Sequence, residues 1–266
     1  MKTRLIETGE LVYAGFVVET SWVGSTLSTH GTHVVSTIIP VKVLGVIVVA
    51  AAGNDGLEGM DWPGAYPEVI SVGACGWKYE WYGPGYKAPS PKYRYRLWWL
   101  QDNTYGFNDV TDPTDVSEVY VTDWSSREND SRVPGFHQEL DVLAPGSWVR
   151  GPYPGTPGYS HLPWWAPGRG WIVAPPNLVN FYYLGGTSMA TPHVSAVAAL
   201  ILQKKPDLTQ SEVEYILKST ALPIPPGSME VYDYGPLGWT WYTMEWDETA
   251  TGAGLIQTDK AIEAVP

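Results

Sequence analysis

A single cysteine, Cys75, stands in the chain, so no intramolecular disulfide can form and a disulfide-stapled scaffold is excluded. Charge is scarce as well: Asp, Glu, Lys and Arg make up 17% of the residues. Basic residues are the rarer sign, 16 against 28 acidic ones, for a net charge of −12. A chain this acidic is a poor match for nucleic acid or an anionic membrane surface, and neither is an expected partner. Long apolar runs are missing. The longest, residues 38–52, holds Pro40 and Lys42 and covers about 15 residues, where a bilayer span needs about 20. The first 18 residues carry Lys2 and Arg4, but Glu7 and Glu10 interrupt the apolar residues after them, so they do not read as a signal peptide. Phenylalanine is rare, with 4 residues beside 14 Trp and 17 Tyr, so the aromatic surface is amphipathic. No fixed-period repeat is present.

What is there fits one domain over residues 1–266. The chain is 44% hydrophobic and long enough to bury a core. Two aromatic and proline-rich stretches, about 76–122 and 147–183, read as insertions without regular structure, their rings covering polar backbone. The β-branched run 46–51 ends at Gly53-Asn54-Asp55-Gly56 and predicts a buried parallel strand leading into a functional loop. Residues 69–73 predict a second short strand. Val194, Val197, Ala198, Leu200 and Ile201 have helical spacing, and that helix should stop near Lys205, before Pro206. Thr209 and Glu212 form a capping-box signature for a second helix whose inner face holds Val213, Ile216 and Leu217. Residues 252–264 predict a glycine turn and a terminal helix.

Three segments carry chemistry: His30-Gly31-Thr32-His33-Val34, Ala51-Ala52-Gly53-Asn54, and Gly185-Gly186-Thr187-Ser188-Met189-Ala190-Thr191-Pro192-His193. The glycines before Ser188 permit a tight turn and close approach of a substrate. Ser188 then falls in the first turn of a helix, where unpaired N–H groups favour developing negative charge. A serine hydroxyl is a weak nucleophile without a base, and His30 is the candidate base. Asn54, at the end of a strand, is placed to direct an amide N–H at an oxyanion. Taken singly, each segment has a plainer reading. Ser188 would be a helix cap and Asn54-Asp55-Gly56 a turn. His30 and His33 would be structural histidines, or a metal pair lacking a nearby third ligand.

Together and in this order, the three segments resemble the subtilisin-like serine peptidases. Tyr66-Pro67-Glu68-Val69-Ile70-Ser71-Val72-Gly73-Ala74, Trp124-Ser125-Ser126-Arg127 and Asp141-Val142-Leu143-Ala144-Pro145-Gly146 add weaker matches, as do residues 206–221 and 252–264. The resemblance implies an α/β fold, a three-layer sandwich with a mainly parallel sheet. It implies peptide-bond hydrolysis through an acyl-enzyme, with Ser188 attacking, His30 as general base, and Asn54 with the Ser188 N–H holding the oxyanion. It also implies protein or peptide substrates, a monomer, and work outside the cell or at its surface. No cofactor is required; calcium is common in such enzymes as a structural ion. Asp102, Asp109, Asp112 and Asp115 form no ladder of ligand spacing, and no metal residue is predicted.

Two departures temper that picture. The family places an aspartate in an Asp-Thr-Gly or Asp-Ser-Gly turn before the histidine, yet residues 1–29 hold no aspartate. The nearest match is Leu5-Ile6-Glu7-Thr8-Gly9, which makes Glu7 the candidate third member, one methylene longer than usual. His30 and Asn54 are also only 24 positions apart, several dozen fewer than in the family. Gly45 alone cannot supply the crossover that two parallel strands need. Residues 37–48 therefore predict one bent strand or a distorted antiparallel pair, with the central sheet incomplete. Internal deletion, a mistaken gene boundary or degeneration would each produce such a chain. The leading function is a serine endopeptidase. The alternatives are a weak or inactive relative that binds peptides or glycans through pairs such as Trp98-Trp99 and Trp164-Trp165, and a general esterase using the same Ser188 and His30.

Overall fold

The computed structural model describes residues 45–78, 115–133, 135–153, 180–235 and 238–266. The candidate residues Glu7, His30 and His33, the pairs Trp98-Trp99 and Trp164-Trp165, and Asp102, Asp109 and Asp112 lie outside them, as does most of the predicted bent-strand segment 37–48.

The sheet is organised around β2 (Ile70–Trp77), all eight residues of which are buried. β1 (Val49–Ala51) runs parallel to its first half, pairing Val49 with Ile70 and Ala51 with Val72. β4 (Val142–Pro145) is also parallel, pairing Val72 with Val142 and Cys75 with Pro145. β3 (Val119–Val121) is antiparallel and pairs Cys75 with Val121. Val72 bonds to both β1 and β4, and Cys75 to both β3 and β4. A strand has two edges, so β1 and β3 follow one another along one edge and β4 takes the other. The predicted strand 46–51 is thus shorter than its apolar run, and the predicted strand 69–73 is longer at its C-terminal end. Among the described residues, regular structure also reaches into both predicted insertions. β2 runs to Trp77 and β3 opens the return. β5 (Val149–Tyr153) and β6 (Asn180–Leu184) pair antiparallel.

Alternation along β2 divides the molecule into two cores. Ile70, Val72 and Ala74 face one side, joined by Val142 and Ala144 of β4. That side is covered by α1 (Thr187–Lys204), α2 (Gln210–Thr220) and α3 (Thr258–Glu263) through Ala190, Val194, Val197, Ile201, Val213, Ile216, Leu217 and Ala261. Cys75 and Trp77 face the other side, with Leu143, Met60 and Tyr120. There the cover is a hairpin of β7 (Gly227–Gly235) and β8 (Gly238–Trp246), which buries Val231, Met244 and Trp246. The period-two pattern of a strand buried on both faces thus yields a sheet between two layers, as the resemblance implies.

The helix predictions hold. α1 ends at Lys204, where Lys205 caps it one residue before Pro206. Thr209 and Glu212 form the full capping box: the Glu212 N–H donates to Thr209 Oγ1 (3.3 Å) and the Thr209 N–H to Glu212 Oε2 (2.7 Å). Gln210 fastens this helix to the sheet, its Oε1 accepting from the Val48 N–H at 3.0 Å and its Nε2 donating to the Glu68 carbonyl.

Candidate active site

The loop 52–69 joins the parallel strands β1 and β2 and carries Asn54 at its start. Gly53 has φ +111°, and a Cβ there would lie 2.6 Å from Asp61 Oδ2 and 2.8 Å from Ser126 Oγ. Only glycine fits that position, on grounds of both backbone and space. The first turn of α1 arrives opposite this loop. Gly186 precedes it at φ +152° and lets the chain turn sharply from β6 into the helix. Ser188, the second helical residue, is exposed, whereas Thr187 before it is fully buried.

Thr187 joins the two segments. Its backbone N–H donates to Asn54 Oδ1 at 3.0 Å. Its hydroxyl accepts from the Gly53 N–H at 3.3 Å. The single hydroxyl proton serves either the Gly53 carbonyl (3.1 Å) or Asn54 Oδ1 (3.2 Å). A backbone N–H can only donate, so the oxygen end of the Asn54 amide must face Thr187. The NH₂ end of the same planar group is then turned away from Thr187, and Asn54 is exposed. The arrangement bonds Asn54 to the residue next to Ser188, and both Asn54 and Ser188 are exposed. Such a pairing can stabilise negative charge on an oxygen bonded to that serine.

A second segment, 124–138, backs the Asn54 loop. Ser126 Oγ accepts the Asp55 N–H at 3.0 Å, and the Ser126 N–H donates to the Gly53 carbonyl at 3.0 Å. Gly56 N–H donates to the Trp124 carbonyl at 3.0 Å, and Gln138 Oε1 accepts from Met60 N–H at 2.9 Å. Sequence reasoning singled out Ser126 only as part of a family match and did not single out Thr187 by itself. The signal for Thr187 is a small hydrogen-bonding residue locked between Gly186 and the nucleophile candidate. Of the four predicted site residues, Asn54 and Ser188 are thus linked through Thr187; Glu7 and His30 lie outside the described residues. His193, in the Ser188 segment, donates through Nδ1 to the Met189 carbonyl at 2.9 Å, and burial lowers its pKa.

Among the described residues, one trio of carboxylates has metal-ligand spacing: Glu139, Asp141 and Glu214. A cation already occupies its centre. The Lys218 ammonium bonds Glu139 and lies 2.9 Å from Asp141 and 3.7 Å from Glu214. Asp141 is further satisfied by the Ser71 N–H (2.7 Å) and hydroxyl (2.9 Å). Burial and then the Asp141 charge push the Glu214 carboxyl up to about 7. Asp115, one of the loop carboxylates, accepts from the Ser117 N–H at 2.8 Å and caps the turn before β3. No described helix is long and apolar enough to cross a membrane.

The chain resembles known peptidases at the level of sequence. It is 26% identical over 191 residues to subtilisin BL of Lederbergia lenta, covering 72% of this chain and 44% of the relative. It is 28% identical over 181 residues to subtilisin DY of Bacillus licheniformis, covering 66% and 40%. The chain therefore spans less than half the length of these curated relatives. Among solved structures, fervidolysin from Fervidobacterium pennivorans, a keratinolytic enzyme related to subtilisin, is similar with a TM-score of 0.47 at 24% identity, covering 84% of this chain and 23% of that one. The prenylagaramide maturation protease PagA has the same TM-score at 22% identity, covering 88% and 56%. The sequence model of the subtilase family matches residues 41–254, a stretch that holds both Asn54 and Ser188, and the chain belongs to that family.

Proposed function

We propose that the protein is a serine endopeptidase that cleaves peptide bonds through an acyl-enzyme on Ser188. The observation that carries this reading is the Thr187 N–H to Asn54 Oδ1 bond, because it ties Asn54 to the residue next to Ser188 and turns the amide NH₂ away from Thr187, while Asn54 and Ser188 are both exposed. In this reading the Ser188 hydroxyl attacks the scissile carbonyl, and His30 takes its proton and later returns it to the leaving amine. The Asn54 amide and the Ser188 backbone N–H hold the oxygen as it gains negative charge. Glu7 takes the place of the orienting aspartate, keeping the imidazole in the tautomer that accepts from Ser188. The domain is one unit over residues 1–266, its substrates are proteins or peptides, and it works as a monomer outside the cell or at its surface. Calcium has no assigned site in this reading.

The test is covalent labelling by a fluorophosphonate, followed by intact mass and by hydrolysis of a casein-derived peptide mixture. The expected result is one adduct and peptide cleavage with the unaltered protein, and neither with Ser188→Ala. Adduct formation that persists in Ser188→Ala would overturn the assignment, as would a folded protein with no adduct at all.

A further inference from the structure

We propose that Arg132 is a positioning residue for the oxyanion loop: its guanidinium binds both limbs of residues 54–61 together and so steadies the loop whose Asn54 amide Thr187 orients. The proposal rests on the peptidase reading above for its catalytic consequence, but the clamp itself is read from contacts. Arg132 Nη1 donates to the carbonyls of Gly59 (2.6 Å) and Met60 (3.0 Å). Its Nη2 donates to Asp61 Oδ1 at 3.2 Å and lies 3.6 Å from Asp55 Oδ2. One planar group thus holds the residue directly after Asn54 and the three residues where the loop returns. Asp61 in turn packs on Gly53, the residue directly before Asn54, as the 2.6 Å approach of its Oδ2 to an added Cβ indicates. Asn54 is therefore flanked on both sides of the chain by groups that Arg132 holds.

The electrostatics explain why a cation is needed there. Asp55 and Asp61 are close enough to interact directly. Burial, and then the Asp55 charge, raise the Asp61 pKa, and Arg132 opposes that rise. Without the guanidinium, two carboxylates would face each other across the mouth of the loop, and their repulsion would separate its limbs. The bonds that the Gly53 and Asp55 N–H groups donate to the Thr187 and Ser126 hydroxyls do not involve Arg132, so the chain should stay folded while the loop loosens and the Asn54 amide meets the Thr187 N–H less of the time. A lysine would keep the charge but not the fork that reaches both limbs and two carbonyls at once.

The experiment compares the unaltered protein with Arg132→Ala, Arg132→Lys and the double variant Arg132→Ala/Asp61→Asn. Peptide kcat, KM and Tm are read together with amide hydrogen exchange over residues 53–61. Arg132→Ala is expected to lower kcat by about 10- to 100-fold with KM within about twofold, the loss typical of a misplaced group. It should also raise exchange in 53–61 while leaving α2 protected. Arg132→Lys should fall between, and adding Asp61→Asn should recover most of kcat and of the protection, because it removes one of the two repelling charges. An unchanged kcat and exchange in Arg132→Ala would overturn the proposal. So would a loss that Asp61→Asn fails to relieve. An unaltered protein that neither labels nor cleaves overturns the peptidase reading and the catalytic half of this one. The exchange data then decide the clamp: loosening of 53–61 that Asp61→Asn reverses supports it, and no loosening sinks it.

Discussion

Thr187 supplies Asn54 with a backbone donor and shares its one hydroxyl proton between Asn54 Oδ1 and the Gly53 carbonyl. Those bonds hold the amide oxygen inward and leave the amide protons as the outward end. In the peptidase reading, Asn54→Ala removes one oxyanion donor and should lower kcat by about 10²–10³, with little change in KM and with Ser188 still labelled, more slowly. Stopped-flow or steady-state kinetics on a chromogenic peptide would check this; a loss carried mainly by KM would point to substrate binding instead. At this scale the sequence was informative about residue types. A glycine pair before a threonine, a serine and a helical pattern fixes where Ser188 stands, since each of those preferences is local. It was silent about Arg132, because an arginine in a polar loop carries no mark of the carboxylates it meets some 70 positions away.

α2 illustrates how an element is placed by a few side chains. Its capping box sets the start, Val213, Ile216 and Leu217 set the buried face, and Gln210 and Lys218 set the anchor points. Lys218 sits among three carboxylates. Burial works to lower its pKa, but its bonds to Glu139 and Asp141 outweigh that and hold it high, so the ammonium stays charged. Glu214 is the group that titrates. Its pKa in the folded protein, about 7, lies above the usual 4.5. The folded state therefore retains a proton that the unfolded chain has released, and this contribution to stability is full below about pH 4.5 and is lost as pH rises to about 7. Glu214→Gln should flatten that part of the stability profile, leaving the variant relatively more stable near pH 7.5 than near pH 5. Urea unfolding at the two pH values measures the difference, and an unaltered slope would show that Glu214 titrates normally. The spacing of Val213, Ile216 and Leu217 announces this helix in the sequence. The carboxylate cluster beneath it joins residues more than 70 positions apart and leaves no local trace.

For the molecule as a whole, the sheet separates two cores, and each has its own cover. The helical cover was legible from periodicity. The hairpin cover was not, because aromatic residues stand on both faces of residues 227–246 and blur the alternation that marks a half-buried strand. Met244 reaches the centre of that second core and is fully buried. Met244→Ala should therefore destabilise the protein by about 2–5 kcal/mol in urea or thermal unfolding. A loss below about 1 kcal/mol would mean that the hairpin folds apart from the sheet. The expectation of an incomplete central sheet meets a related limit. Among the described residues, β1 has three residues and no partner on its outer edge.

The sequence by itself determined the helices, their caps, the strand-to-loop passage at Gly53 and the chemical types at Asn54 and Ser188. These rest on interactions spanning a few residues, or on backbone preferences of single residues. Only the tertiary structure decided that Asn54 meets Thr187 across 133 positions, that β2 serves three strands, and that Arg132 joins Asp55 to Asp61. Those contacts depend on how the elements pack, and packing couples residues whose separation along the chain no local pattern records.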